Sequence, residues 1–250
     1  MLSVLRYHEI SESSHRIMNP LSLDELLLLG DICRVGQGTR LLDLACGKGE
    51  LLCQFARRLG ASGVGVDVHA PFLVAARERA VEFGVADSVR FVEGDAGHPT
   101  GVSGRFDVVS CIGATWIGGG LSGTLDLMSQ WLAPHGWMLV GEAFWAAQPP
   151  DVVRRKHEEG QTFADLAGTL DRFEAANTDL VEMVLATHGD WDRYEASQWL
   201  NVAEWLSTNP HAPEASEVRA QRDASRRYYL SEERRCLGWG VFVLRADKSA

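Results

Sequence analysis

The stretch RLLDLACGKGELL, Arg40–Leu52, decides how the rest of the chain is read. An apolar, strand-forming run (40–45) meets Gly47 and Gly49, which flank Lys48, and a helix-period segment, GELLCQFARRLG (49–60), follows at once. A strand that turns into a helix over glycines lets a ligand approach the backbone and leaves helix-end N–H groups exposed. A P-loop is excluded, because no G-x-x-x-x-G-K-[ST] occurs and Lys48 lies between the glycines. A dinucleotide loop would want a further glycine where Leu52 stands. Asp43, inside the end of the strand, would repel a pyrophosphate and suits a ligand with an ammonium group.

Outward from this turn, short apolar runs alternate with helix-period segments. GVGVDV (63–68), VRFVEG (89–94), FDVVSCI (106–112) and WMLVGEAF (137–144) read as strands, and APFLVAARERAVEFG (70–84) and LSGTLDLMSQWLA (121–133) as helices. The strands lack alternation, as expected when helices cover both faces of a parallel sheet. The class is α/β, a doubly wound sheet whose ligands collect outside the carboxyl ends of the strands. After 145 the pattern changes: a break at AAQPPD, a helix over 163–177, a strand over 178–187, an aromatic-rich helix over 190–207, a charged helix from Pro213 to about Arg235, and a last strand over 238–246. The chain reads as one domain, 1–250, with an N-terminal cap (1–37), a core (38–145), a helical, substrate-side insertion (146–237) and that last strand.

Two more acids stand in register behind the strands. Asp67 ends the second, where a carboxylate accepts from both hydroxyls of a ribose, and Asp95 lies beyond the third, within reach of an exocyclic adenine amine. With these, LLDLACGKGE, GVGVDV, EGDA, FDVVSCIGATWIGG and LAPHGWMLVGEAFW resemble the successive motifs of the class I S-adenosylmethionine-dependent methyltransferases over residues 38–145, and GWGVFVLRA resembles their last, antiparallel strand. The resemblance implies a Rossmann-like, mostly parallel seven-stranded sheet of order 3-2-1-4-5-7-6, with an N-terminal helical cap and a late helical insertion. It implies S-adenosyl-L-methionine as cofactor, with Asp43, Ala45, Cys46, Gly47 and Gly49 at the methionine moiety. Asp67 would hold the ribose, Val68 the adenine face, and Asp95 and Ala96 the adenine edge. Cys111, Ile112 and Gly113 would line the floor near the sulfonium. Cys46 departs from the glycine common at its position.

Methyl transfer needs a nucleophile held in line in a dry pocket, and one base can suffice. The N-terminal YHEISESSHRIMNPLS supplies His8 and His15, seven apart and on one face if the stretch is helical, ahead of a break at Asn19-Pro20. Glu142, after the fifth strand, and His188 are further base candidates. In CIGATWIGGG (111–120), Thr115 and Trp116 would face the acceptor, and Gly118 to Gly120 would let the next helix begin without obstructing the pocket. Trp191, Tyr194 and Gln198 form a stripe of a kind that more often packs into a core than clamps a substrate; Tyr194 is the substrate-side candidate.

Composition narrows the acceptor. Among 250 residues, the formal net charge of −10 opposes a nucleic-acid partner, and the fourth strand ends in CIGA, without the [N/D]-P-P-[Y/F] of base methyltransferases. The five cysteines form no C-x-x-C pair, no His or Cys spacing suggests a metal, and no run is apolar enough for a membrane span, so the expectation is a cytoplasmic protein with reduced thiols. Aromatic content near the pocket favours a small, flat metabolite methylated on nitrogen or oxygen. The alternatives are a nicotinamide-dependent oxidoreductase and a non-catalytic S-adenosylmethionine-binding protein. Homodimerisation is left open.

Overall fold

A computed structural model describes residues 2–158 and 162–246; the remaining parts of the 1–250 range, Met1, 159–161 and 247–250, lie outside the described residues. The sheet has the order β3-β2-β1-β4-β5-β7-β6. Its strands are β1 (Arg40–Leu44), β2 (Ser62–Asp67), β3 (Val89–Glu93), β4 (Phe106–Ile112), β5 (Leu132–Trp145), β6 (Thr178–Leu185) and β7 (Leu237–Ala246). The neighbouring pairs from β3 across to β5 are parallel, and β7 runs antiparallel to both β5 and β6. β5 begins earlier than its apolar run suggests: the pairing slips between Phe106 and Val108, so Leu132 already faces Phe106 and the helix before it ends at Trp131.

Helices cover both faces. On one, α2 (Leu23–Ile32), α3 (Glu50–Leu59) and α4 (Ala70–Glu82) bury Leu29, Leu52, Phe55 and Leu73 against Leu41, Val108 and Val243 of the sheet. On the other, α5 (Leu121–Trp131) and α7 (Leu166–Ala175) bury Leu125, Met128 and Phe173 against Leu42, Val109 and Phe242. Two-sided burial explains the continuous apolar strands. α2 was not apparent in the sequence, yet it has a full capping box, Ser22 and Glu25 each bonding the other's backbone N–H. α6 (Asp151–Glu158) was likewise not apparent; it starts at the last residue of the AAQPPD break.

The N-terminal cap and the late insertion form one body. α1 (Val4–Ser11) packs on α8 (His188–Thr208) and α9 (Ala215–Ser231) through Ile10, Val202, Leu206 and Val218. Asn201 Nδ2 donates to the Ser11 carbonyl at 2.7 Å, fixing the end of α1. Since α1 stops at Ser11, His8 and His15 do not share a helix face; His15 lies in the irregular chain beyond it.

Candidate active site

The turn after β1 is built around left-handed backbone. Ala45, Gly47 and Gly49 all have positive φ, +58°, +51° and +68°. The two glycines serve different ends. A Cβ on Gly47 would meet Met18 Cε at 2.6 Å, so its missing side chain admits the N-terminal segment; one on Gly49 would meet the Phe91 ring at 2.6 Å, so Gly49 is required by the packing beneath. Cys46 is accommodated by a second small residue: a Cβ on Gly65 would lie 2.6 Å from its sulfur.

These strand ends open into a cavity of about 720 Å³. Of the sequence candidates, Asp43, Ala45, Cys46, Gly47, Asp67, Val68, Asp95, Ala96, Ile112 and Gly113 line it, together with His8, Trp116 and Tyr194. Gly49, Cys111, Thr115, His15 and Glu142 are not part of its wall. Cys111 is wholly buried in the core on the α5 side.

The three acids differ in setting. Asp43 is buried and accepts from Ser110 Oγ at 2.7 Å; burial raises its carboxyl to about 7, against the pull of that hydrogen bond and with a further push from Asp67. Asp67 is held by two backbone donors, Gly47 N–H on Oδ2 and His69 N–H on Oδ1, both at 2.8 Å, which aims the carboxylate and leaves lone pairs on each oxygen. Asp95 is exposed, and its hydrogen bonds from His98 and the Gly97 N–H lower its pKa.

The base candidates fall in three different places. His8 stands at the β2 side, its ring 5.5 Å from Phe72 and near Asp67 and His69; burial lowers its pKa, with Glu12 opposing. His15 has both ring nitrogens engaged, Nδ1 with Glu12 Oε2 and Nε2 with Ser197 Oγ, each at 2.5 Å, and stacks on Tyr194. Glu142 lies within β5, not after it; it is buried and accepts from Thr115 Oγ1 at 2.5 Å, and burial raises it to about 7. His188 is the first residue of α8 and is not in the cavity wall. Gly118 to Gly120 do not border the cavity either: a Cβ on Gly118 would strike the Gly123–Thr124 backbone, so it serves the approach of α5.

Sequence reasoning missed the role of Lys48. Its Nζ is buried and donates to the carbonyls of Glu12, Ser13 and His15 at 2.6, 3.1 and 3.1 Å, tying the chain after α1 to the β1 turn; burial lowers its pKa. Segment 16–21 then covers the cavity, with Asn19 Nδ2 donating to the Ile112 carbonyl at 3.4 Å. Tyr194 seals the far side, its hydroxyl 2.7 Å from Glu12 Oε1 and 3.0 Å from the Met18 carbonyl. A lysine between two glycines signals an anchored turn, but only the fold shows what it anchors. Trp239 of β7 and His69 also line the cavity. Among the described residues, no group of three or more His, Cys, Asp or Glu is placed to hold a metal, and no helix is long and apolar enough to cross a membrane.

The fold is an α/β sheet with the strand order of the class I methyltransferases. Comparison with known proteins specifies it. A family model described as a methyltransferase domain matches residues 41–136. The uncharacterized protein YjhP of Escherichia coli (strain K12) is 41% identical over 97% of this chain and 99% of its own length. An S-adenosylmethionine-dependent methyltransferase from Geobacter sulfurreducens, solved with S-adenosyl-L-homocysteine, is 43% identical with a TM-score of 0.91 over 98% of this chain and 100% of that one. Its counterpart from Thiobacillus denitrificans, also solved with S-adenosyl-L-homocysteine, is 42% identical with a TM-score of 0.90 over the same shares. The chain belongs to the class I S-adenosylmethionine-dependent methyltransferase family, and S-adenosyl-L-methionine is its cofactor. Nothing in these comparisons supports a nicotinamide-dependent oxidoreductase.

Proposed function

We propose that the protein methylates a nitrogen or oxygen atom of a small-molecule acceptor by in-line displacement, with positioning as its main contribution. The observation that carries this reading is the single cavity that runs from the acids behind β1, β2 and β3 past the end of β4 to the aromatic residues of α8 and β7. The residues fit the cofactor: Asp43 for the ammonium, the 45–47 backbone, left-handed at Ala45 and Gly47, for the methionine chain, Asp67 for the ribose hydroxyls, and Val68, Asp95 and Ala96 for the adenine. When bound, S-adenosylmethionine supplies an electrophilic methyl carbon on a sulfonium. Ile112 and Gly113 border its methionine side, and segment 16–21 excludes water from it.

Trp116, on the wall beyond β4, and Tyr194 are the acceptor-side residues in this reading. Glu142, which stands outside the cavity wall, is a positioning residue in this reading and not the base. It lies on the strand next to β4 and bonds Thr115, whose chain neighbours Ala114 and Trp116 line the cavity. His8 stands at the adenosine end, and His15 holds the cap together.

The test separates cofactor from acceptor. Asp67→Ala should weaken S-adenosyl-L-homocysteine binding by about tenfold or more, as expected for lost hydrogen bonds to a charged group, whereas Trp116→Ala should lower turnover and leave that affinity within about twofold. Unchanged affinity in a folded Asp67→Ala protein would remove the ribose assignment, and equal losses in Trp116→Ala would put Trp116 in the cofactor site.

A further inference from the structure

The cofactor end of the cavity is shared between the sheet and the cap. α1 presents Leu5 and His8, about one turn apart on the same face, to the cavity wall, while Tyr7 and Ile10 on its other side pack toward α8 and α9. Most hydrogen-bond donors in the wall are spent. Arg16 is bonded to Glu50 and Glu82, Lys48 to three backbone carbonyls, Asn19 to the Ile112 carbonyl, and Tyr194 to Glu12 and the Met18 carbonyl. His69 Nε2 and Trp191 Nε1 have no partner among the described residues, but both are closed off by the atoms around them. Trp116 follows β4 and Trp239 lies in β7, across β1 from the strand that ends at Asp67.

His8 differs from all of these. It is half-buried and borders the cavity, and its ring nitrogens are neither bonded to another described residue nor closed off as His69 Nε2 is. Its place is fixed by packing: the rings of His8 and His69 both meet Phe72 edge-on, at 5.5 and 4.4 Å, at the start of α4, just after the strand end that carries Asp67. Asp67 is aimed by the Gly47 and His69 N–H groups and, when ionised, can only accept. A ribose hydroxyl that donates to it keeps lone pairs on its own oxygen, and those call for a donor. Burial favours the uncharged imidazole of His8, which carries one N–H. Resting on the assignment of Asp67 to the ribose, we propose that His8 is a second ribose ligand, its imidazole N–H donating to the oxygen of one of the two hydroxyls whose protons Asp67 accepts. The diol is then held by an acceptor on the sheet and a donor on the cap, so ribose recognition and the seating of α1 over the cavity are one event.

The experiment uses the full-length protein and three ligands, S-adenosyl-L-homocysteine and its 2′-deoxy and 3′-deoxy analogues, with affinities read by calorimetry. His8→Ala deletes the ring at a helix position that alanine suits, and His8→Phe keeps a ring against Phe72 without the N–H. Each should weaken S-adenosyl-L-homocysteine by roughly three- to tenfold, the worth of one hydrogen bond. For the deoxy analogue that lacks the hydroxyl His8 reaches, the same substitutions should change affinity by less than about twofold, since the two deletions remove one shared interaction. For the other analogue the loss should persist. A purely structural role would lower all three affinities alike. Unchanged S-adenosyl-L-homocysteine affinity in a folded variant, or equal losses for all three ligands, would each overturn the proposal. Either variant gives the full comparison if the other fails to fold. Asp67→Ala, measured beside them, keeps the two readings apart: if it loses affinity while the His8 variants do not, only His8 is misassigned. If Asp67→Ala binds as the unmodified protein does, the ribose assignment falls and takes the proposal with it.

Discussion

Asp43 and Glu142 are both carboxyls that burial holds near 7, and they predict opposite uses of the same physics. A ligand ammonium prefers ionised Asp43, so binding below pH 7 must expel a proton. S-adenosyl-L-homocysteine affinity should fall by up to about tenfold per pH unit as pH drops below 7, the limit for one linked proton. Asp43→Asn should flatten that slope and weaken binding throughout, both readable by calorimetry across pH 5.5–8. For Glu142 the folded pKa lies above the ordinary 4.5, so the native state binds the extra proton between 4.5 and about 7. Its contribution is full below the lower value and is lost as pH rises to the upper one, amounting to about 3 kcal/mol over the window. Glu142→Gln, which stays neutral, should lack that part of the decline in urea titrations run from pH 5 to 8. At this scale the sequence offered both acids as candidates but not their charge state, which depends on what buries them. Cys46 is similar: its departure from glycine makes sense only beside Gly65.

Among the elements, α1 and α8 lie far apart in the chain and act together. Glu12 accepts from Tyr194 and pairs with His15, His15 reaches Ser197, and Lys48 gathers the backbone carbonyls that end the cap. His15 thus holds the cap instead of facing the acceptor, because Glu12 at the end of α1 engages Nδ1 and Ser197 of α8 engages Nε2. Lys48→Met should leave those carbonyls without their buried donor and loosen segment 12–19. The expected outcome is faster proteolytic cleavage there, with S-adenosyl-L-homocysteine affinity down about threefold to thirtyfold, since hydrogen bonds to a charged donor are worth roughly 1.5–3 kcal/mol and part of the loss is relieved by water. Cleavage at the rate of the unmodified protein would show that α1 docks without Lys48. Helix and strand identities in the core were legible because each run buries one repeating pattern, whereas α2 was hidden by its nearly all-leucine centre and α6 by the prolines before it.

For the whole molecule, the sheet brings three acids from three strand ends to one edge, and the cap body closes the cavity over them. A ligand held between core and cap stabilises both. S-adenosyl-L-homocysteine at a hundred times its Kd should raise unfolding free energy by about 2.7 kcal/mol and suppress cleavage in segment 12–19. Stabilisation without that protection would mean that the cofactor binds the core alone.

The sequence by itself determined the α/β class, the strand order through its family resemblance, the strand-end acids and the cofactor. Those features are local, since a strand ending in an acid before a glycine turn presents that acid wherever the chain folds as a parallel sheet. Only the tertiary structure decided what Lys48 anchors, which end of the cavity His8 occupies, and that His15 and Glu142 stand outside its wall. Each of these depends on side chains that meet across long separations in the chain, and no periodicity or spacing encodes which of them will touch.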